Sequence, residues 1–274
     1  MLKTMLPAFV ACLVLVAVHA YLGLHVIARE VIFVDLSIAQ MAALGGVTAL
    51  LVGVERDSPT AYAFSLAFTA VGAALFAATR TSEKGRVPQE AFIGIIYVVA
   101  SAAAILVADK APRGAEVIHD VLVGNILFVT WPTILKKAAG YVALGVFFYV
   151  FRERFHTISF QPEEAVRRGW SVRWWDFWFY LAFGIAITLS VPIAGVLMVF
   201  TILVVPSTIA FLFTRDMRRL TVVSWTSGAL ASLLGIGLSY QLDLPTGPMI
   251  VCMFGVVLLG AAVLKRLGIG LERA

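Results

Sequence analysis

Apolar residues run in blocks of about twenty along nearly the whole chain, separated by short polar segments. The blocks fall at roughly 7–27, 35–54, 61–79, 90–108, 132–151, 175–191, 195–213, 220–238 and 247–264. A block of that length crosses the hydrocarbon of a bilayer as a helix. In lipid only helices and closed barrels satisfy their own backbone, and barrel strands would show ten-residue alternation, which is absent here. The pattern therefore predicts an all-α integral membrane protein of about eight or nine spans, with residues 1–274 as a single transmembrane domain. The first block, Leu6 to Ile27, exceeds a signal-peptide core and lacks a small-x-small cleavage site, so it is read as a retained span.

Three interruptions carry information. Residues 117–129, VIHDVLVGNILFV, are apolar but too short to cross, and predict a short helix lying at the surface or re-entering it. Residues 152–174 form the only sizeable polar segment. Within it SFQPEEAVRRGW has a helix signature: Pro162 in the first turn, Glu163 and Glu164 at the positive dipole end, Arg167 and Arg168 in the last turn, and Gly169 to close. Further on, Pro192 and Gly195 predict a turn between two spans. Pro206 is expected to interrupt the second of them, with Ser207 and Thr208 relieving freed carbonyls.

Composition agrees with the block pattern. The chain is 61% hydrophobic and only 14% charged, with a mean hydropathy of +0.96. Soluble domains carry about a quarter charged residues. Lys and Arg set the orientation. Fifteen fall on one side: Arg29, Arg80, Lys84, Arg86, Arg152, Arg154, Arg167, Arg168, Arg173, Arg215, Arg218, Arg219, Lys265, Arg266 and Arg273. Six fall on the other: Lys3, Arg56, Lys110, Arg113, Lys136 and Lys137. The richer side is cytoplasmic, which places the C-terminus inside and, with nine spans, the N-terminus outside. The basic balance is thus loop charge that orients the protein, and no nucleic-acid partner is implied. Cys12 and Cys252 lie inside apolar blocks and imply no disulfide.

The candidate chemistry sits in VDLSIAQMAALGG, Val34 to Gly46. Asp35 is a carboxylate at the mouth of a greasy helix, where an unpaired charge costs several kcal/mol and so points to function. As an alternative, Asp35 caps the helix. Asp35, Ala39, Ala42, Ala43 and Gly46 share a small-residue face, and Gln40 lies about 140° round the helix from Asp35. The four histidines, His19, His25, His119 and His156, have no i, i+4 pairing, and no C-x-x-C or H-E-x-x-H is present. No phosphate-binding G-x-x-x-x-G-K-[ST] loop occurs, so ATP is not bound through such a loop on this chain.

Several separated stretches, in order, match one family. These are 28–46 (AREVIFVDLSIAQMAALGG), 90–106 (EAFIGIIYVVASAAAIL) and 121–133 (VLVGNILFVTWPT), then 159–169 (SFQPEEAVRRG), 195–210 (GVLMVFTILVVPSTIA) and 244–251 (LPTGPMIV). Together they resemble the membrane permease subunits of the zinc/manganese/iron ABC importers over essentially the whole chain. The resemblance implies a type II importer permease in the inner (plasma) membrane. It implies a homodimer, a separate ABC ATPase below and an extracytoplasmic solute-binding protein above. It also implies that residues 159–170 are the coupling helix, with Gln161, Pro162, Glu163, Glu164, Arg167, Arg168 and Gly169 facing the ATPase. The cargo pathway is expected to include Asp35, Gln40 and His25. The family pattern G-D-x-x-S-H is altered here: Gln40 stands where the histidine falls, and Asp35 is one residue further back than the family aspartate.

These features make the chain a transport subunit and not an enzyme, since no paired catalytic residues are found. It carries no covalently bound cofactor, and a divalent metal is the expected substrate. The competing readings are an ABC permease for a non-metal cargo and a stand-alone secondary transporter with Asp35 as its ion site.

Overall fold

The computed structural model describes residues 2–56, 58–80 and 87–268. Of the basic residues that set the orientation, Lys84, Arg86 and Arg273 lie outside the described residues, as does the side chain of Lys3. The chain is helical: α1 (Leu2–Ala28), α2 (Val34–Leu51), α3 (Pro59–Ala78), α4 (Gln89–Lys110), α5 (Gly114–Val123), a 3-10 turn (Ile126–Phe128), α6 (Trp131–Val150), α7 (Arg152–Phe160), α8 (Pro162–Arg167), α9 (Val172–Phe213), α10 (Met217–Leu242) and α11 (Thr246–Arg266). Among the described residues, eight helices are long and apolar enough to cross a membrane. One of these, α9, has 42 residues and the length of two crossings. Gly195, at φ 74° and ψ 159°, divides it in a conformation open essentially to glycine alone. The residues between the apolar blocks therefore turn where the pattern predicts, and α5 is short as expected.

Local chemistry sets the ends. Ser58 caps α3 by accepting from Ala61 N at 3.1 Å, with Pro59 in the first turn. Asp216 caps α10 through Arg219 N at 3.0 Å. The expectation for Pro206 needs correction. Only Gly195 departs from helical backbone inside α9, so Pro206 does not break the helix. Ser207 donates to Leu203 O and to Ala20 O, both at 2.9 Å, and Thr208 donates to Val204 O at 2.8 Å. These hydroxyls bond carbonyls other than that of Ile202, which a proline at 206 frees.

The chain folds as two compact units. The first holds residues 1–27, 123–143 and 193–274. Small residues bring its helices together. A side chain at Gly23 would strike Leu203 and Ser207, one at Gly228 would strike Val16, and one at Gly235 would strike Ile250. The Trp225 indole donates to Ala17 O at 3.0 Å. Opposite the break in α9, Gly124 and Gly195 pack backbone against backbone, and Asn125 N donates to Ile193 O at 2.8 Å. The broken helix thus has its freed carbonyl satisfied by a neighbouring segment.

The second unit holds residues 28–122 and 144–192. Here α2 packs between α3 and α4. Gly45 lets Phe64 and Ser65 approach, Met41 covers Gly72, and Ser37 donates to Ile93 O at 3.0 Å. Its ion pairs report which helix ends share a side. Arg29, before α2, and Arg80, after α3, both meet Asp176, while Arg56, at the opposite ends of α2 and α3, meets Asp120. This is the grouping of charges that the orientation argument requires.

An aromatic cluster anchors α7. Phe155 is fully buried, with ring centroids 5.0 Å from Phe148, 5.8 Å from Trp175 and 6.0 Å from Phe179. Phe155→Ala is expected to cost about 3–5 kcal/mol. A lowered unfolding midpoint in detergent checks this, and an unchanged midpoint contradicts it.

Candidate functional site

Helix α2 starts without a side-chain cap. Phe33 occupies the N-cap position, and its N–H is taken by Glu90 Oε1 at 2.9 Å, an acid in the first turn of α4. Asp35 is therefore the second helical residue and not the cap, which removes the structural alternative considered for it. Its side chain is 1% exposed, and neither carboxylate oxygen has a hydrogen-bond partner among the described residues. The cation closest in sequence, Arg29, is already held by Asp176 at 2.7 Å and by Ser159 at 2.7 Å. A bare carboxylate so enclosed costs several kcal/mol unless it takes up a proton or a cation from outside the chain meets it.

Gln40 lies in the same helix and is 7% exposed. Ala39, Ala42 and Ala43 of the small-residue face are buried, and Gly46 is half-buried. His25 belongs to the first unit, where it is fully buried with its ring 5.0 Å from Tyr21. Asp35 and Gln40 thus share one helix of one unit, and His25 lies in the other. Among the described residues no group of three or more His, Cys, Asp and Glu could hold a metal ion. What the chain offers at α2 is one buried carboxylate and one amide, both hard oxygen donors.

The second candidate region is α8. It begins at Pro162, with Gln161 at φ −142° and ψ 60°. The predicted helix over 159–170 is therefore shorter: Ser159 and Phe160 close α7, because a residue before proline is driven out of the α conformation. Gly169, at φ 71°, ends it, and Trp170 N donates to Ala165 O at 3.1 Å. Glu164 bonds Arg168 and Arg167, each at 2.9 Å, and Arg168 reaches Glu153 of α7 at 2.9 Å. The hydrogen bond from Arg168, then the charge of Arg167, hold the Glu164 carboxyl below its usual range. This clamp is therefore complete above the ordinary carboxylate range and is lost only as pH falls through the lowered value. Gln161, Pro162, Glu163, Glu164, Arg167 and Arg168 line one shallow depression with Phe160, and Val166 stands out at 65% exposure.

Sequence reasoning missed the ion cluster at the base of this region. Asp176 is fully buried and binds both Arg29 and Arg80. The Arg29 guanidinium also lies 3.9 Å over the Phe179 ring. The signal was present as an acid within the first two turns of an apolar helix, on the basic side, but its partners are distant in sequence.

Relatives of this chain carry names that refer to metal transport. A Chlamydia muridarum protein named "Probable metal transport system membrane protein" is 26% identical over 89% of this chain and 83% of its own. The "Manganese transport system membrane protein MntB" of Synechocystis is 28% identical over 73% of this chain and 68% of its own. The solved structure of PsaBC from Streptococcus pneumoniae in complex with Fab has the same fold, with a TM-score of 0.75, 20% identity and coverage of 93% of this chain and 89% of that one. A model of the ABC 3 transport family matches residues 1–265, and the chain belongs to that family.

Proposed function

We propose that this multi-pass protein of the plasma membrane is the membrane-spanning subunit of an ATP-driven importer for a divalent metal, manganese before zinc. The carrying observation is Asp35, a buried carboxylate in α2 without a partner among the described residues. A cation passing along α2 supplies the missing charge. Asp35 and Gln40 contribute oxygen donors, which suit manganese better than zinc, and Gln40 stands where the family pattern has a histidine. His25, in the first unit, is a further candidate donor carried by the family resemblance. The relatives' names, metal transport and manganese transport, support this choice.

ATP is hydrolysed on a separate ATPase subunit. It docks on α8, where Glu163, Val166 and Arg167 are exposed. An extracytoplasmic binding protein delivers the metal at the opposite surface. Two copies of the chain surround the pathway, brought together by helices with small or exposed apolar faces. Native mass spectrometry of the complex extracted in mild detergent tests the assembly. Particles with paired copies of this chain and of an ATPase are expected. A particle that transports metal with one copy and no ATPase contradicts the proposal and favours a stand-alone carrier.

A further inference from the structure

The ion cluster of the second unit has no part in the proposed route or in the proposed docking. Asp176 is buried between Arg29 and Arg80, and Arg29 Nε donates to Ser159 Oγ at 2.7 Å. Buried ion pairs are weak sources of stability, since apolar packing of the same volume often serves as well. Stability alone is then a poor reason for two buried charges and a half-buried third at one point, and their placement suggests another.

Each partner comes from a different element. Arg29 lies in the turn between α1 and α2, Arg80 just past α3, Ser159 in α7, and Asp176 and Phe179 in the first turns of α9. On one side, Ser159 is three residues before Pro162, where α8 begins, and α8 is tied to α7 through Arg168 and Glu153. On the other side, the chain reverses at Glu30, with φ 57°, and enters α2, which carries Asp35. The buried polar atoms of this unit that lack a hydrogen-bond partner among the described residues belong to Arg29 (Nη2), Asp35 (both oxygens) and Glu90 (Oε2). Glu90 itself holds Phe33 N–H, so all three residues stand at the start of α2. Unmet bonding capacity is concentrated at the point where α2 is held, and a second arrangement of these groups has bonds to gain.

We propose that Arg29 is a positioning residue that couples α8 to α2. When the ATPase moves α8 and α7, Ser159 and Asp176 carry Arg29 with them, and Arg29 shifts the start of α2 and thereby Asp35. The inference rests on the reading of α8 as the ATPase-docking helix. It requires a contiguous set of links with two arrangements: side-chain contacts run from α8 through α7 to Arg29, and the short turn through Glu30 joins Arg29 to α2 within this unit.

The test uses the complete complex of permease, ATPase and binding protein in proteoliposomes, with labelled manganese as the probe. ATP hydrolysis and uptake are read on the same vesicles, and the ratio of metal carried to ATP hydrolysed is the measured quantity. Ser159→Ala removes one hydroxyl and leaves the ion pairs, whereas Asp176→Asn removes the charge at constant size. Both are expected to bind the ATPase and hydrolyse ATP at the wild-type rate. The ratio is expected to fall about threefold for Ser159→Ala and about tenfold for Asp176→Asn. Asp176→Glu is expected to restore most of it. A merely structural cluster would lower protein yield, uptake and hydrolysis together and leave the ratio at the wild-type value, and that result overturns the proposal. If Asp176→Asn does not accumulate in the membrane, Ser159→Ala decides alone: a reduced ratio supports the coupling and an unchanged ratio overturns it. If the wild-type chain binds no ATPase, the docking reading fails and this inference falls with it.

Discussion

Asp35→Asn in the reconstituted importer is expected to lower manganese uptake about a hundredfold or more while the protein folds normally. Removing one partner of a buried charge pair costs about 3–5 kcal/mol, and about 1.4 kcal/mol is a factor of ten. If the passing cation is the partner of Asp35, that cost falls on transport. The same substitution affects folding in the opposite direction. Asp35 accepts no hydrogen bond from its own helix or its neighbours among the described residues, and it is not the N-cap. Replacing an unmet carboxylate by a neutral amide of equal size therefore loses no contact and removes a buried charge. The unfolding midpoint is expected to hold or rise. Lost uptake with retained stability is the signature of a functional acid. Uptake within about twofold of wild type, less than half a kcal/mol, contradicts the cargo-contact reading.

Val166→Asp combined with Arg167→Glu is expected to abolish ATPase capture and, with it, ATP-driven uptake. Val166 is 65% exposed on a six-residue helix, and the Arg167 side chain is 74% exposed. Neither change touches the core, since Ala165 is the buried residue of α8. The change removes the Arg167–Glu164 pair, but the Glu164–Arg168 and Arg168–Glu153 pairs remain and tie α8 to α7. In a docked interface the new carboxylates become buried without partners, which costs several kcal/mol and lowers affinity by about a thousandfold or more. Pull-down with the ATPase reads this directly. Normal capture by the double variant contradicts the assignment of α8.

Much of this was legible in the sequence, for identifiable reasons. Helices in a bilayer need continuous apolar blocks, so the spans from α1 to α11 follow from block length alone. Pro162, the paired glutamates, the paired arginines and Gly169 spell out α8, because each of these residue types meets a different requirement of a helix end. Gly195 was visible as a break. Other features depend on contacts that no local pattern records. Pro206 stays helical although proline usually interrupts. Phe33 and not Asp35 is the N-cap, because Glu90, 57 residues away, supplies the acceptor from another helix. The cluster of Arg29, Arg80, Ser159 and Asp176 joins residues up to 147 positions apart. For the candidate site, the residues Asp35 and Gln40 could be named from the sequence. The enclosure of Asp35 without a partner, on which the proposal turns, could not.

ATP-driven metal uptake is the activity proposed for this chain. Its most direct test is accumulation of labelled manganese by proteoliposomes that contain the permease, its ATPase and the binding protein, with ATP supplied on the α8 side. Accumulation against a gradient is expected, requiring ATP and lost with Asp35→Asn. Equal accumulation by the permease alone, driven by an imposed pH gradient without ATP or ATPase, would contradict it.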